Sequence, residues 1–289
     1  MKQRIYKIMG MAAIVAAGLA GPVSAEEVTF AMLPQMSDEA TRVCWEGILK
    51  HVEQESGIQI RQVFPKNFDE HVRLCREGRI DFAYSNPFTY VQMVPAHRTG
   101  VEGHRALAVA VQEHGKTFYG EVIVRSDDSS IRTVRDLKGK KGWIVGFKSA
   151  GGYLFQRGLA LSNGIDLEED CFLTESPGNK QEGVIEAVGS GKADFGCVRE
   201  GMRQKFAGQI DVSGVRVLAK TARYPGWVMS ARRDVDANTR GRIEEAFLSL
   251  PPDMLTEARL PGGVQSFAPA ADRDFDEVRD LASMLGMGY

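Results

Sequence analysis

The chain has 289 residues, 26% of them charged and 43% hydrophobic, with a formal net charge of −2 at pH 7. That length can bury two modest cores, and the mild acidic balance argues against a nucleic-acid or membrane-surface partner. Four cysteines without a CxxC pair do not form a zinc framework.

The N-terminus carries Lys2, Arg4 and Lys7, then an uncharged, largely apolar run from Ile8 to Val23. Val23-Ser24-Ala25 fits the small-x-small cleavage rule. Residues 1–25 therefore read as a cleavable Sec signal peptide, with Glu26 opening the mature chain and the periplasm as destination. No twin arginine is present and no Cys follows the cut, so neither a Tat substrate nor a lipoprotein is expected. Removing three basic residues and no acidic ones takes the charge from −2 to −5. Any anion site must then be local.

Val28 to Leu33 reads as a buried strand. Ser37 or Asp38 can cap the helix that follows to about Glu55, and Gly57 ends it. Ile58 to Phe64 is a strand, Phe68 to Glu77 a short helix and Ile80 to Tyr84 a strand. This is βαβαβ, which predicts a parallel sheet. The pattern recurs: strand Tyr119 to Arg125, a short helix at Val134 to Leu137, and strand Gly142 to Phe147. A helix follows from Ala150 to before Gly164, then strand Cys171 to Glu175, helix Gln181 to Val188 and strand Ala193 to Val198. Further strands fall at Val215 to Lys220 and Trp227 to Ala231, with helices at Asn238 to Leu248 and Asp272 to Leu285.

The predicted fold class is α/β. Two Rossmann-like lobes, 26–113 with 222–289 and 114–221, are joined by two crossovers near Val111–Lys116 and Lys220–Tyr224. Two crossovers make a hinge. A six-residue echo supports the repeat: Gly78-Arg-Ile-Asp-Phe-Ala83 matches Gly191-Lys-Ala-Asp-Phe-Gly196. The carboxyl ends of these strands should face the crevice, where open α/β sheets bind ligands. That puts Tyr84, Ser85 and Asn86 on one wall and Cys197, Val198 and Arg199 on the other. Tyr119 and Trp227 lie beside the crossovers and are expected to reach the cleft.

An oxidising compartment makes disulfides the default for Cys44, Cys75, Cys171 and Cys197. Yet a 2-1-3 strand order would put Cys44 and Cys75 on opposite faces, and a central strand between Cys171 and Cys197. Neither in-lobe pair is assured. Cys197 reads first as a small buried apolar residue; its place at a strand end also allows a soft-ligand contact. The histidines are His51, His71, His97, His104 and His114, without metal-ligand spacing. His51 and His71 read as residues of solvated helix faces. Asp81 and Asp194 open strands away from the cleft and read as turn or cap residues. No GxSxG elbow or nucleophile–base pair is evident, so no enzyme, cofactor or metal is expected.

Three stretches carry a family resemblance: Gly78 to Pro87, Tyr119 to Val124 with Asp136 to Lys140, and Ser149 to Tyr153. In these the chain resembles the PhnD-like phosphate/phosphite/phosphonate family, type II periplasmic solute-binding proteins. The resemblance implies a monomeric binder that delivers a small anion to an inner-membrane ABC permease. Some relatives instead bind arsenite through a cysteine and report to a sensor histidine kinase, which is the alternative reading. The family pattern Ser-Thr-Ser-Gly becomes Ser149-Ala150-Gly151-Gly152 here. Two hydroxyl donors are lost, while the amides and dipole of a helix N-terminus remain. A family tyrosine aligns with Phe68, a second with Ser85, and a phosphonate-contacting histidine with Gln181. The acid that pairs with a ligand amine falls in Pro225-Gly226-Trp227, and its helper near Glu200, beside Arg199. The expected site is thus Phe68, Tyr84, Ser85, Asn86, Tyr119, Ser149 to Gly152, Gln181, Arg199 and Trp227. Losing an acid and gaining an aromatic makes a cationic ligand tail poorly served.

Overall fold

The computed structural model describes residues 26–94, 103–260 and 263–287. The expected signal peptide and His97 lie outside the described residues.

The chain opens with β1 (Glu27–Met32), α1 (Asp38–Ser56), β2 (Gln59–Gln62), α2 (Phe68–Arg76), β3 (Phe82–Ser85), α3 (Pro87–Met93) and β4 (His104–Val111). A first crossover holds β5 (Thr117–Phe118). Then come β6 (Gly120–Arg125), β7 (Lys141–Ile144), a π-helical turn (Ala150–Leu154) running into α4 (Phe155–Ser162), α5 (Leu167–Asp170), β8 (Phe172–Glu175), α6 (Gln181–Gly189), β9 (Phe195–Arg199), α7 (Met202–Phe206) and β10 (Val215–Lys220). A second crossover holds β11 (Tyr224–Pro225). The chain finishes with β12 (Val228–Arg232), α8 (Ala237–Leu248), α9 (Pro252–Ala258), β13 (Ser266–Pro269) and α10 (Asp276–Met284).

Two sheets result. One has the order β13-β4-β12-β3-β1-β2, the other β10-β6-β9-β7-β8. In each, three parallel strands carry the 2-1-3 arrangement, β2-β1-β3 and β8-β7-β9. Antiparallel strands extend both, so the sheets are mixed rather than wholly parallel. The sequence reading missed β4 and β13. β4 lies between two strands and is buried along nearly its whole length, so it shows no polar alternation. β13 is four residues ending in a proline, too short to signal.

Local chemistry explains the framework. Ser37 caps α1 by accepting from the Ala40 amide at 3.2 Å, and Gly57 ends it at φ 68°. The echoed motifs have equivalent jobs. Gly78 and Gly191 turn the chain at φ 71° and 75°. Asp81 then accepts from the Thr29 amide of β1 at 2.7 Å, and Asp194 from the Lys141 amide of β7 at 2.8 Å. Each carboxylate ties an incoming strand to the middle strand of its parallel triplet.

The two sheets share an apolar core. Phe88 from one side and Tyr224 from the second crossover pack on Phe155 of α4, at ring distances of 5.7 and 4.3 Å. α10 packs on both α3 and α4. Gly158 of α4 has no room for a side chain, since a Cβ there would lie 2.2 Å from Leu281. The chain crosses between the sheets twice, through 112–119 and 221–227, and β5 pairs with β11 to splice the two strands.

All four cysteines are free. Cys75 lies in the core that includes α3 and α10, whereas Cys44 packs on the other face of the same sheet. β7 separates Cys171 from the strand of Cys197. The Cys44 and Cys171 thiols donate to the carbonyls of Ala258 and Leu137 instead. His71 corrects its reading as a surface residue. It shares the buried face of α2 with Leu74 and Cys75, and its Nε2 pairs with the Ser85 hydroxyl at 2.9 Å. Burial pushes its pKa down to about 3.

Candidate functional site

A cavity of about 680 Å³ opens between the two sheets, at the carboxyl ends of their parallel strands. One wall is built from the loop after β1 (Pro34, Gln35, Met36), the approach to α2 (Lys66, Asn67, Phe68), Asn86 and Trp227. The other is built from the turn before α4, the start of α6, Arg199 and α7. Phe118 of the first crossover lies between them.

Of the expected residues, Phe68, Asn86, Ser149, Ala150, Gly151, Gln181, Arg199 and Trp227 line this cavity. Tyr84, Ser85, Tyr119 and Gly152 do not. Tyr84 and Ser85 alternate across β3, so each is spent on a core. The Tyr84 ring packs on Trp45 and Trp227, both at 5.1 Å. Ser85 is wholly buried against His71. Asn86, one residue further, is the first to reach the cleft, while its side chain caps α3 through the Thr89 amide at 2.9 Å. Tyr119 is turned to the hinge, between Lys220 and Arg223. Gly152 backs onto Val145, leaving 2.4 Å for a Cβ.

The turn at Ser149 has unusual hydrogen bonding. The Ser149 hydroxyl accepts from the Gly152 amide at 3.2 Å, and its carbonyl accepts from Leu154, five residues on, at 2.9 Å. The amides of Ala150 and Gly151 open the turn, so no preceding helical carbonyl is available to them. They sit where the two family hydroxyls are missing. Space explains the glycine: a Cβ on Gly151 would meet Phe118 at 2.6 Å and Arg199 Cγ at 3.3 Å.

Arg199 fills that space. Its guanidinium lies 4.0 Å over the Phe118 ring, and Nη2 donates to the Gln112 side chain. Its backbone amide donates to Gln181 Oε1 at 3.0 Å, which holds the Gln181 side chain beside Arg199 in the cavity wall. Burial pulls its pKa down to about 10. Among the described residues no carboxylate forms an ion pair with it. The adjacent acid, Glu200, is taken by Arg223 through two contacts of 2.9 and 3.0 Å. Arg223 also donates to Thr117 and His114, so it staples the two crossovers together. No Asp or Glu among the described residues lines the cavity.

Sequence reasoning missed Phe118, Lys66, Lys148, Lys205 and Phe206. Lys148 bridges the cleft to Asp69 at 2.8 Å, across a solvent-exposed rim. Its neighbour Ser149 was read and Lys148 was not, because a lone lysine in a loop carries no pattern. Tyr153 turns inward and donates to Glu168 at 2.8 Å. Cys197 is fully buried and does not line the cavity.

Known proteins share this architecture. The phosphate-import protein PhnD of Mycolicibacterium smegmatis is 24% identical over 288 residues, covering 90% of this chain and 86% of that protein. A binding-protein component of an ABC phosphonate transporter from Pseudomonas aeruginosa superposes with a TM-score of 0.66 at 18% identity, over 89% of this chain and 86% of the other. PhnD1 from Prochlorococcus marinus, in complex with methylphosphonate, superposes with a TM-score of 0.70 at 14% identity, over 91% and 99%. The two structural matches establish the type II binding-protein fold. A family pattern spans residues 30–275, and by it the chain belongs to the periplasmic substrate-binding proteins of phosphonate ABC transporters.

Proposed function

We propose that the cavity traps the oxyanion head of a phosphonate or phosphate-like solute and presents it, closed, to an inner-membrane ABC permease. The observation that carries this reading is Arg199: a partly buried guanidinium facing the cavity with no carboxylate ion pair among the described residues. A charge withdrawn from water without a counter-ion is costly, and an incoming anion supplies the counter-ion. The Ala150 and Gly151 amides add neutral donors aimed at the same anion. Lobes 26–113 with 222–289 and 114–221 would close about the spliced crossovers. Cleavage after Ala25 would release the mature chain into the periplasm, acting as a monomer. It is a binder rather than an enzyme.

Family membership favours a permease over a sensor kinase as the docking partner. The arsenite variant of that alternative would need a cysteine at the cavity, and Cys197 is spent in the core.

A thermal-shift series with inorganic phosphate, phosphite and methylphosphonate tests the reading. A bound anion stabilises by about 2.7 kcal/mol at a hundredfold excess over Kd. The absence of a shift with every anion, up to millimolar concentration, would sink it.

A further inference from the structure

We infer that the cleft is built for an organic ligand with an acidic group at each end, not for a bare oxyanion. This rests on the reading of Arg199 as the oxyanion partner.

Three observations carry it. First, the cavity of about 680 Å³ lies within the range of roughly 300–1,000 Å³ that houses drug-sized ligands. A tetrahedral oxyanion would leave most of it to water. Second, its charge is one-sided. Lys66, Lys148, Arg199 and Lys205 line it, and no described Asp or Glu does. Lys148 is neutralised by Asp69 from outside the lining, at 2.8 Å. Lys205, on α7, has no ion pair among the described residues and is exposed, while Arg199 sits deep against Phe118. Positive charge therefore occurs both at the floor and at the mouth. Third, the walls carry apolar side chains, Met36, Phe68, Phe206 and Trp227, among neutral polar ones such as Asn67 and Asn86. A carbon chain suits such walls, and a hydrated second oxyanion at mid-cavity does not.

The arrangement matches an oxyanion head on Arg199 and the Ala150 and Gly151 amides, a short apolar spacer, and a second acid at the mouth beside Lys205 and Lys66. An ammonium at the far end would meet lysines and find no carboxylate in the described lining, since Asp69 at the rim is held by Lys148.

Calorimetric titration of the intact mature chain with propylphosphonate, 3-phosphonopropionate and 2-aminoethylphosphonate tests this. 3-Phosphonopropionate should bind tighter than propylphosphonate, by up to about fivefold, the gain of one ion pair at an exposed rim. 2-Aminoethylphosphonate should bind weakest. Lys205→Gln should shrink the ratio between the first two ligands, and Lys205→Arg should keep it. If 3-phosphonopropionate binds no tighter than propylphosphonate, the two-ended ligand is wrong while the oxyanion site stands. If no phosphonate binds at all, the oxyanion reading itself fails and this inference falls with it.

Discussion

The two lobes are the same frame used in two ways. Both hold a 2-1-3 parallel triplet, and both tie it with an aspartate at the same place in an echoed motif. Yet their walls differ in chemistry. The lobe around β9 supplies Arg199, Gln181 and the free amides before α4. The lobe around β3 supplies Asn86 and the Phe68 and Trp227 rings. The difference arises in the last residues of equivalent strands. β3 spends Tyr84 and Ser85 on its two cores. β9 spends Cys197 and Val198 likewise, then ends on an arginine that projects into the cleft. Repeated strands make a scaffold, and the residue at the mouth of each, Asn86 just after β3 and Arg199 at the end of β9, makes a site.

The sharpest way to break this comparison is to attack the charged wall. Ala150→Asp would place a carboxylate beside the free amides and Arg199, and anion binding should be abolished in calorimetry. Arg199→Met should weaken anion affinity about a hundredfold, in the range seen when one partner of a desolvated charge pair is lost. Unchanged affinity in either variant would remove the oxyanion from that wall. Trp227→Ala, on the aromatic wall, should weaken binding less than Arg199→Met; the reverse order would mean that apolar contact dominates.

The aspartate clamps test the frame itself. Asp81→Asn should destabilise the fold by about 1–3 kcal/mol, because a hydrogen-bonded and ion-paired, partly buried carboxylate is lost. Asp194→Asn should cost less, since no ion pair to Asp194 exists among the described residues. Urea denaturation of both variants measures the order. Equal losses would mean that the Arg232 pair at 2.8 Å contributes nothing.

pH separates the lobes further. His71 and His104 both lie in the β3 lobe, with pKa values pushed down by burial to about 3 and about 4. As pH falls below about 6.5, the unfolded chain binds protons that the folded chain refuses, so stability drops toward pH 4. The urea midpoint should fall over that window, and the fall should be smaller in His71→Gln. The smallest effect belongs to Lys148→Ala. Its pair with Asp69 is exposed, so any loss of affinity should be slight and should vanish at high salt.

Much of the scaffold was legible because periodicity and turns are local signals. The Ser37 cap, the Gly57 stop and the twin Gly-x-x-Asp-Phe motifs each declare themselves within a few residues. β4 and β13 did not, one because it is buried on both faces and the other because it is so short. The site was legible in part. Ser149, Gln181 and Arg199 stand at the ends of readable elements. Tyr84 and Ser85 were misplaced because strand position says which end faces the cleft but not which side chains the cores will claim.

The chain order alone was enough to indicate two α/β lobes, a double crossover and a cleft at the strand ends. Those follow from apolar periodicity and chain handedness, which act over short distances. Folding decided the rest: that Arg223 would consume Glu200, that Phe118 and Arg199 would fill the space left by Gly151, and that no described carboxylate would remain in the cavity. Such pairings join residues far apart in the chain, and only packing in three dimensions chooses among their possible partners.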